Sequence, residues 1–127
     1  MFKRNSAKSA TINTLIGVNT TVQGDLQFAG GCHVDGRVVG NVTSAAGALG
    51  FLSISERGSI EGSVDAAHVH LNGLVNGDIV ARERVELGPK ARVTGNVKYG
   101  IIEMALGAEI NGKLIHAAPS KAEEAKS

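Results

Sequence analysis

Two histidines two residues apart, His68 and His70, are the most ligand-like pair in the chain. On an extended strand, residues i and i+2 point the same way, so two imidazoles at this spacing can share one ion. A zinc enzyme of the solenoid type draws three histidines from neighbouring coils and faces. His33 and His116 lie roughly two or more coils away along the chain. Unless two protomers share a site, the expectation is a pair of exposed surface histidines and no resident metal.

Three other stretches have chemical types at suggestive spacing. Gly107-Ala108-Glu109-Ile110-Asn111-Gly112-Lys113 fits the first part of a phosphate-binding loop, but Leu114 stands where the Mg²⁺-holding Ser or Thr belongs. The segment is also one copy of a repeat and not a strand-to-helix turn, so nucleotide binding is not expected. Cys32 shares the inward parity of Val34 and reads as a small buried hydrophobe, not a nucleophile. No Ser-His-Asp or Cys-His set stands out, and the carboxylates fall on outward positions, so neither an enzyme nor a cofactor is expected. Met1, Phe2, Lys3 and Arg4 differ from the tail behind them. Two apolar side chains can dip into a bilayer surface while two cations hold anionic lipid, at about 1 kcal/mol per basic residue.

What must position these groups is a five-residue phrase, apolar-x-Gly-x-apolar, that returns six times: Val22–Leu26, Val38–Val42, Ile60–Val64, Val75–Ile79, Val93–Val97 and Ile110–Leu114. Its glycines, at 24, 40, 62, 77, 95 and 112, are 16, 22, 15, 18 and 17 residues apart, about one solenoid turn each. Apolar residues two apart with polar residues between them predict short strands, dry inside and wet outside. Apolar or small positions also recur at six-residue steps, as at Ile16, Val22, Phe28 and Val34 and again from Val69 through Val75, Ala81, Leu87 and Val93 to Tyr99. Three such steps make one coil. The expected fold is therefore all-β, a single triangular β-helix of about six coils with parallel pairing between them. Glycine at inward parity marks a tight corner, and small residues four positions earlier (Gly36, Gly58, Gly73, Ala91, Ala108) mark a second one.

Composition agrees. With 127 residues the chain fits one domain, and three Phe, one Tyr and no Trp are too few anchors for an ordinary β-sandwich core. Stacked rows of Val, Ile and Leu need none, since each coil covers the next. Thirteen basic residues against twelve acidic ones, with no basic patch among aromatics, argue against nucleic acid as a partner. A lone cysteine, no secretory apolar stretch and no run long enough to span a bilayer lead us to expect a cytosolic protein.

In chain order, residues 1–14 are expected to form a flexible tail with the membrane motif at its tip, 15–116 the β-helix, and 117–127 a disordered charged tail. The long interval between the second and third glycines predicts a loop through Ser44–Gly50. Neither flank offers a helical cap, so both ends of the tube would expose row residues and unpaired backbone. The cheapest cover is the terminal coil of another copy, and repetition gives a filament. The expected polymer interface is Leu15, Ile16, Val22, Leu26 and Phe28 at one end and Met104, Ile110 and Leu114 at the other.

Taken together and in order, Leu15-Ile16-Gly17 with Val22–Leu26, Gly31–Val38, Leu52–Gly62, Ala91–Val97, Ile102-Glu103-Met104 and Gly107–Gly112 make the chain resemble the bactofilins, small bacterial cytoskeletal proteins. The resemblance covers about Thr14 to His116. It implies a right-handed β-helix that polymerises end to end, without nucleotide, into filaments lacking overall polarity. It also implies attachment to the inner face of the cytoplasmic membrane through an N-terminal apolar-basic motif, which Met1, Phe2, Lys3 and Arg4 match. Roles in cell shape, or in recruiting cell-wall enzymes or polar proteins, follow from the resemblance alone. The rival from another class is a left-handed hexapeptide-repeat enzyme, an acyltransferase or zinc hydratase. The six-residue steps and the histidine pair favour it; the glycine-centred alternation and the missing third ligand oppose it. A third reading is a monomeric binding module with a sticky face.

Overall fold

A strand of three or four residues with alternating polarity has one apolar side to bury, and three such strands joined by tight corners close a turn around a dry centre. The computed structural model, described over residues 12–44 and 50–116, builds six such turns. In chain order they are β1 (Ile12–Ile16), β2 (Thr21–Gln23) and β3 (Leu26–Phe28); β4 (Gly31–Val34), β5 (Arg37–Val39) and β6 (Val42–Ser44); then β7 (Phe51–Ile54) and β8 (Ser59–Glu61). The remainder is β9 (Val64–Leu71), β10 (Leu74–Asn76), β11 (Ile79–Leu87), β12 (Arg92–Thr94), β13 (Val97–Met104), β14 (Glu109–Asn111) and β15 (Leu114–His116). No helix occurs among the described residues. The expected loop through Ser44–Gly50 and both expected tails fall mainly outside the described residues, and β1 starts at Ile12, ahead of the expected boundary at residue 15.

Every pairing is parallel and joins one turn to the next. β2, β5, β8, β10, β12 and β14 stack into a six-stranded wall. The other two walls merge, because β9, β11 and β13 each run round a corner: Val64 and Asp65 of β9 pair with β6, whereas His68–Leu71 pair with β7. A register shift between Ala81 and Arg84 marks that corner in β11. Three walls per turn is the triangular section that the six-residue steps predicted. All ten positions of those steps are buried or half-buried.

The core is a set of ladders. Val38, Ile60, Val75 and Val93 form one apolar row; Val42, Val64, Ile79 and Val97 form a second; Val34, Ile54, Leu71 and Leu87 form a third. All twelve side chains are at most 2% exposed. Burying a side chain of this kind contributes roughly 1.5–3 kcal/mol, which is how a chain with so few aromatics stays folded.

The phrase glycines occupy one corner, stacked on one another with positive φ, +145° at Gly95 for example. A Cβ on Gly77 would collide with the carbonyl oxygen of Gly62 below it, and the same holds up the stack from Gly40 to Gly112. The second tight corner is also real at Gly36, Gly58 and Gly73, whose added Cβ would strike the carbonyls of the preceding turn. This second corner accounts for most of the difference between the short and the ordinary repeats, while the longest interval, 22 residues, also contains the stretch between β6 and β7. Two residues link β4 to β5 and β9 to β10, but four-residue turns, closed by Gly58 N–H to Ser55 O, Ala91 N–H to Gly88 O and Ala108 N–H to Ala105 O, link the strands in turns three, five and six.

Candidate functional site

The residues with chemical promise separate once the turns are stacked. Gly107–Leu114 is a corner, the strand β14, the stacked Gly112 and the start of β15. Strand β15, not a helix, follows Gly112 directly, so the helix dipole and fan of N–H groups that hold a phosphate are not assembled at this loop. Cys32 lies in the core at 0% exposure, and burial pushes its thiol up to about 11. At neutral pH it is protonated and inert. Among the described residues no three His, Cys, Asp or Glu side chains converge to hold a metal.

His68 and His70 face outward from β9, as their parity predicted. His68 stacks on Phe51 of the preceding turn with ring centroids 5.7 Å apart. His70 Nδ1 lies 3.1 Å from Glu86 Oε1 in the next turn. His33 is elsewhere on the same wall, with Nδ1 3.1 Å from Ser53 Oγ and Nε2 3.2 Å from Asp35. His116 packs against Tyr99 at the far end.

Charges on the outer walls pair across turns and along a strand. Arg37 donates to Glu61 at 2.6 Å, and Arg84 donates to Glu86 at 2.8 Å and also reaches Glu103. Register brings Arg37 to Glu61 and Arg84 to Glu103 across 24 and 19 positions, which no local rule reads, whereas Arg84 and Glu86 stand two apart on the same side of β11, a pairing that strand parity alone can reach. The hydrogen bond from Arg84, followed by that from His70, holds the Glu86 carboxyl below the usual range; Asp35 is likewise lowered, chiefly by a hydrogen bond from Ser55.

The ends of the tube differ from its middle. In the row Leu26–Val42–Val64–Ile79–Val97–Leu114 the four inner residues are fully buried, whereas Leu114 is 46% exposed. The row ending at Met104 behaves the same way: Val34, Ile54 and Leu71 are fully buried, Leu87 is 2% exposed and Met104 is 46% exposed. Ile110 is half-buried. At the other end Val22 and Leu26 are half-buried, while Ile16 and Phe28 are buried at 5%. Leu15 points outward, in register with His33, and is well exposed. Of the anticipated interface residues, then, Val22, Leu26, Met104, Ile110 and Leu114 lie in terminal inward rows with surface to offer. Leu15 is on the side wall, and Ile16 and Phe28 are already covered.

Further apolar residues sit exposed in the terminal turns: Val18 in the first, and Ile101, Leu106 and Ile115 in the last. Sequence parity gives no warning of them, since Ile101 and Ile115 occupy outward positions that the alternation assigns to polar side chains. The expected membrane motif, Met1, Phe2, Lys3 and Arg4, lies outside the described residues. Among the described residues no helix is long and apolar enough to cross a membrane.

Residues 14–115 match the bactofilin family, described as polymer-forming cytoskeletal. The chain is 29% identical over 102 residues to bactofilin BacO of Myxococcus xanthus, covering 80% of this chain and 78% of that one. It is also 29% identical over 112 residues to bactofilin BacP of the same organism, covering 88% of this chain but 45% of the relative. No solved structure matches.

Proposed function

The chain belongs to the bactofilin family of polymer-forming cytoskeletal proteins, and from that premise we propose that it is a scaffold subunit whose β-solenoids join end to end, without nucleotide, into filaments. The supporting observation is the contrast along single ladders. Positions that are sealed in the middle turns stand open in the last one, with Met104 and Leu114 each 46% exposed. Among the described residues a terminal turn also has a strand edge with no further turn to pair, and a second copy supplies both apolar rows and backbone partners at the spacing of about 4.8 Å that the turns already use.

Leu114→Arg tests this. An arginine at the junction would be buried without a partner, at a cost of several kcal/mol, so short soluble species should replace filaments in sedimentation and electron microscopy. Assembly equal to the parent's would rule out stacking through the last turn.

The membrane part of the reading rests on Met1, Phe2, Lys3 and Arg4. Single anchors of this size bind weakly, and a filament displaying many of them binds firmly through avidity. Deleting residues 1–8 should leave filaments intact yet free of anionic liposomes in a co-pelleting assay; unchanged pelleting would remove the anchor from the mechanism. Lying along the inner face of the cytoplasmic membrane, such a filament would support cell shape or hold cell-wall enzymes or polar proteins in place. The hexapeptide-repeat enzyme is not favoured, since no third ligand joins His68 and His70 among the described residues.

A further inference from the structure

One wall carries an outward cluster that the stacking of turns leaves unused. β9 presents His68 and His70 side by side, with the buried Val69 between them. Together with Phe51, Arg84 and Glu86 they rim a shallow depression. Each imidazole is held. The His68 ring lies on Phe51 at an interplanar angle of 25°. His70 Nδ1 meets the Glu86 carboxylate at 3.1 Å, and that carboxylate is in turn fixed by Arg84. An ionised acceptor keeps the imidazole proton on Nδ1 and leaves the Nε2 lone pair directed away from it, the arrangement in which a carboxylate orients a metal-binding histidine. The local charge has the right sign as well. Arg84 pairs with both Glu86 and Glu103, so one guanidinium faces two carboxylates and the cluster is net negative when the histidines are neutral.

We propose that His68 and His70 bind one late first-row divalent ion, Zn²⁺, Ni²⁺ or Cu²⁺, on the outer wall of the solenoid, with Glu86 as the positioning residue for His70. Neutral imidazole selects these ions over Mg²⁺ and Ca²⁺, which take oxygen ligands. Two protein ligands leave the remaining positions to water, so the site is open and exchangeable, unlike a closed structural zinc site. The other candidates do not compete. Both ring nitrogens of His33 are engaged by Ser53 and Asp35, and the Cys32 thiol is buried and protonated.

Equilibrium dialysis of the assembled full-length chain against ZnCl₂, with MgCl₂ as the control, reads the site directly. We expect saturable zinc binding that His68→Ala and His70→Ala each weaken about tenfold or more and that the double variant loses. Glu86→Gln should weaken it about tenfold while both ligands remain, the size typical of a lost orienting partner. Cu²⁺ electron paramagnetic resonance gives an independent readout, with coupling to two imidazole nitrogens in the parent and one in each single variant. All three side chains face outward, so circular dichroism should show the fold retained. Zinc uptake by the double variant equal to the parent's, or Mg²⁺ binding equal to Zn²⁺ binding, overturns the proposal.

Discussion

At the scale of single residues, the strongest constraint is the stacked glycine corner. Gly77 combines a positive φ with a carbonyl directly where a Cβ would go, whereas Gly24, in the first turn, has positive φ but nothing within 4 Å of the added atom. The two positions separate conformational strain from collision. Gly24→Ala should cost about 1–2 kcal/mol through φ alone, and Gly77→Ala should cost at least about 2 kcal/mol more, because backbone of the neighbouring turn must move. Thermal unfolding followed by circular dichroism compares them, and equal melting temperatures would show that the collision is relieved without cost. Glycine's role here was legible in the repeat phrase itself. Which atom it avoids was not, since that oxygen belongs to a residue 15 positions away.

At the scale of the elements, ladders along the outside supplement the apolar rows. The side-chain oxygen after each of several phrase glycines accepts the N–H of its counterpart one turn on: Asp25 from Asn41, Asn41 from Ser63, Asp78 from Asn96 and Asn96 from Lys113, all within 3.0 Å. Lys113 carries no such oxygen, so the ladder stops in the last turn. Ion pairs add a pH dependence to the wall bearing Arg84. Glu86 and Asp35 have folded pKa values below their ordinary ones. Their stabilisation is therefore complete above the unfolded pKa, about 4 for carboxylates, and is lost as pH falls through the lower folded value. Glu86→Gln should melt below the parent at pH 6 and approach it as the pH is lowered toward about 3. A gap that stays constant across that range would mean the Arg84–Glu86 pair contributes nothing. Because these groups are largely exposed, the effect is small and screened by salt.

At the scale of the whole molecule, a tube about 24 Å tall, five intervals of about 4.8 Å between six turns, carries apolar surface concentrated in its terminal turns. Among the described residues, seven of the eight large exposed hydrophobics, all but Leu74, lie in the first or last turn. The part of this surface that ends the inward rows, Met104 and Leu114 at one end with half-buried Val22 and Leu26 at the other, is apolar, so a junction built on those rows is governed by water more than by charge. Filaments should persist in molar NaCl and lose mass on cooling toward 0 °C, because apolar association weakens in the cold. Turbidity or sedimentation across salt and temperature checks this; dissolution by salt with insensitivity to cold would make the junction electrostatic.

The amino-acid order alone determined the period of the turns, the inward rows of the middle turns, and the parity of Cys32, His68 and His70. Alternation and glycine corners are local properties of the chain, and local rules read them. Only the stacked structure decided that Ile16 and Phe28 are covered while Met104 and Leu114 are open, that Leu15 lies on a side wall, and that Glu86 stands between Arg84 and His70. Those facts depend on register between residues as much as 18 positions apart and on a turn having a neighbour on one side or two, and neither is written in any single repeat.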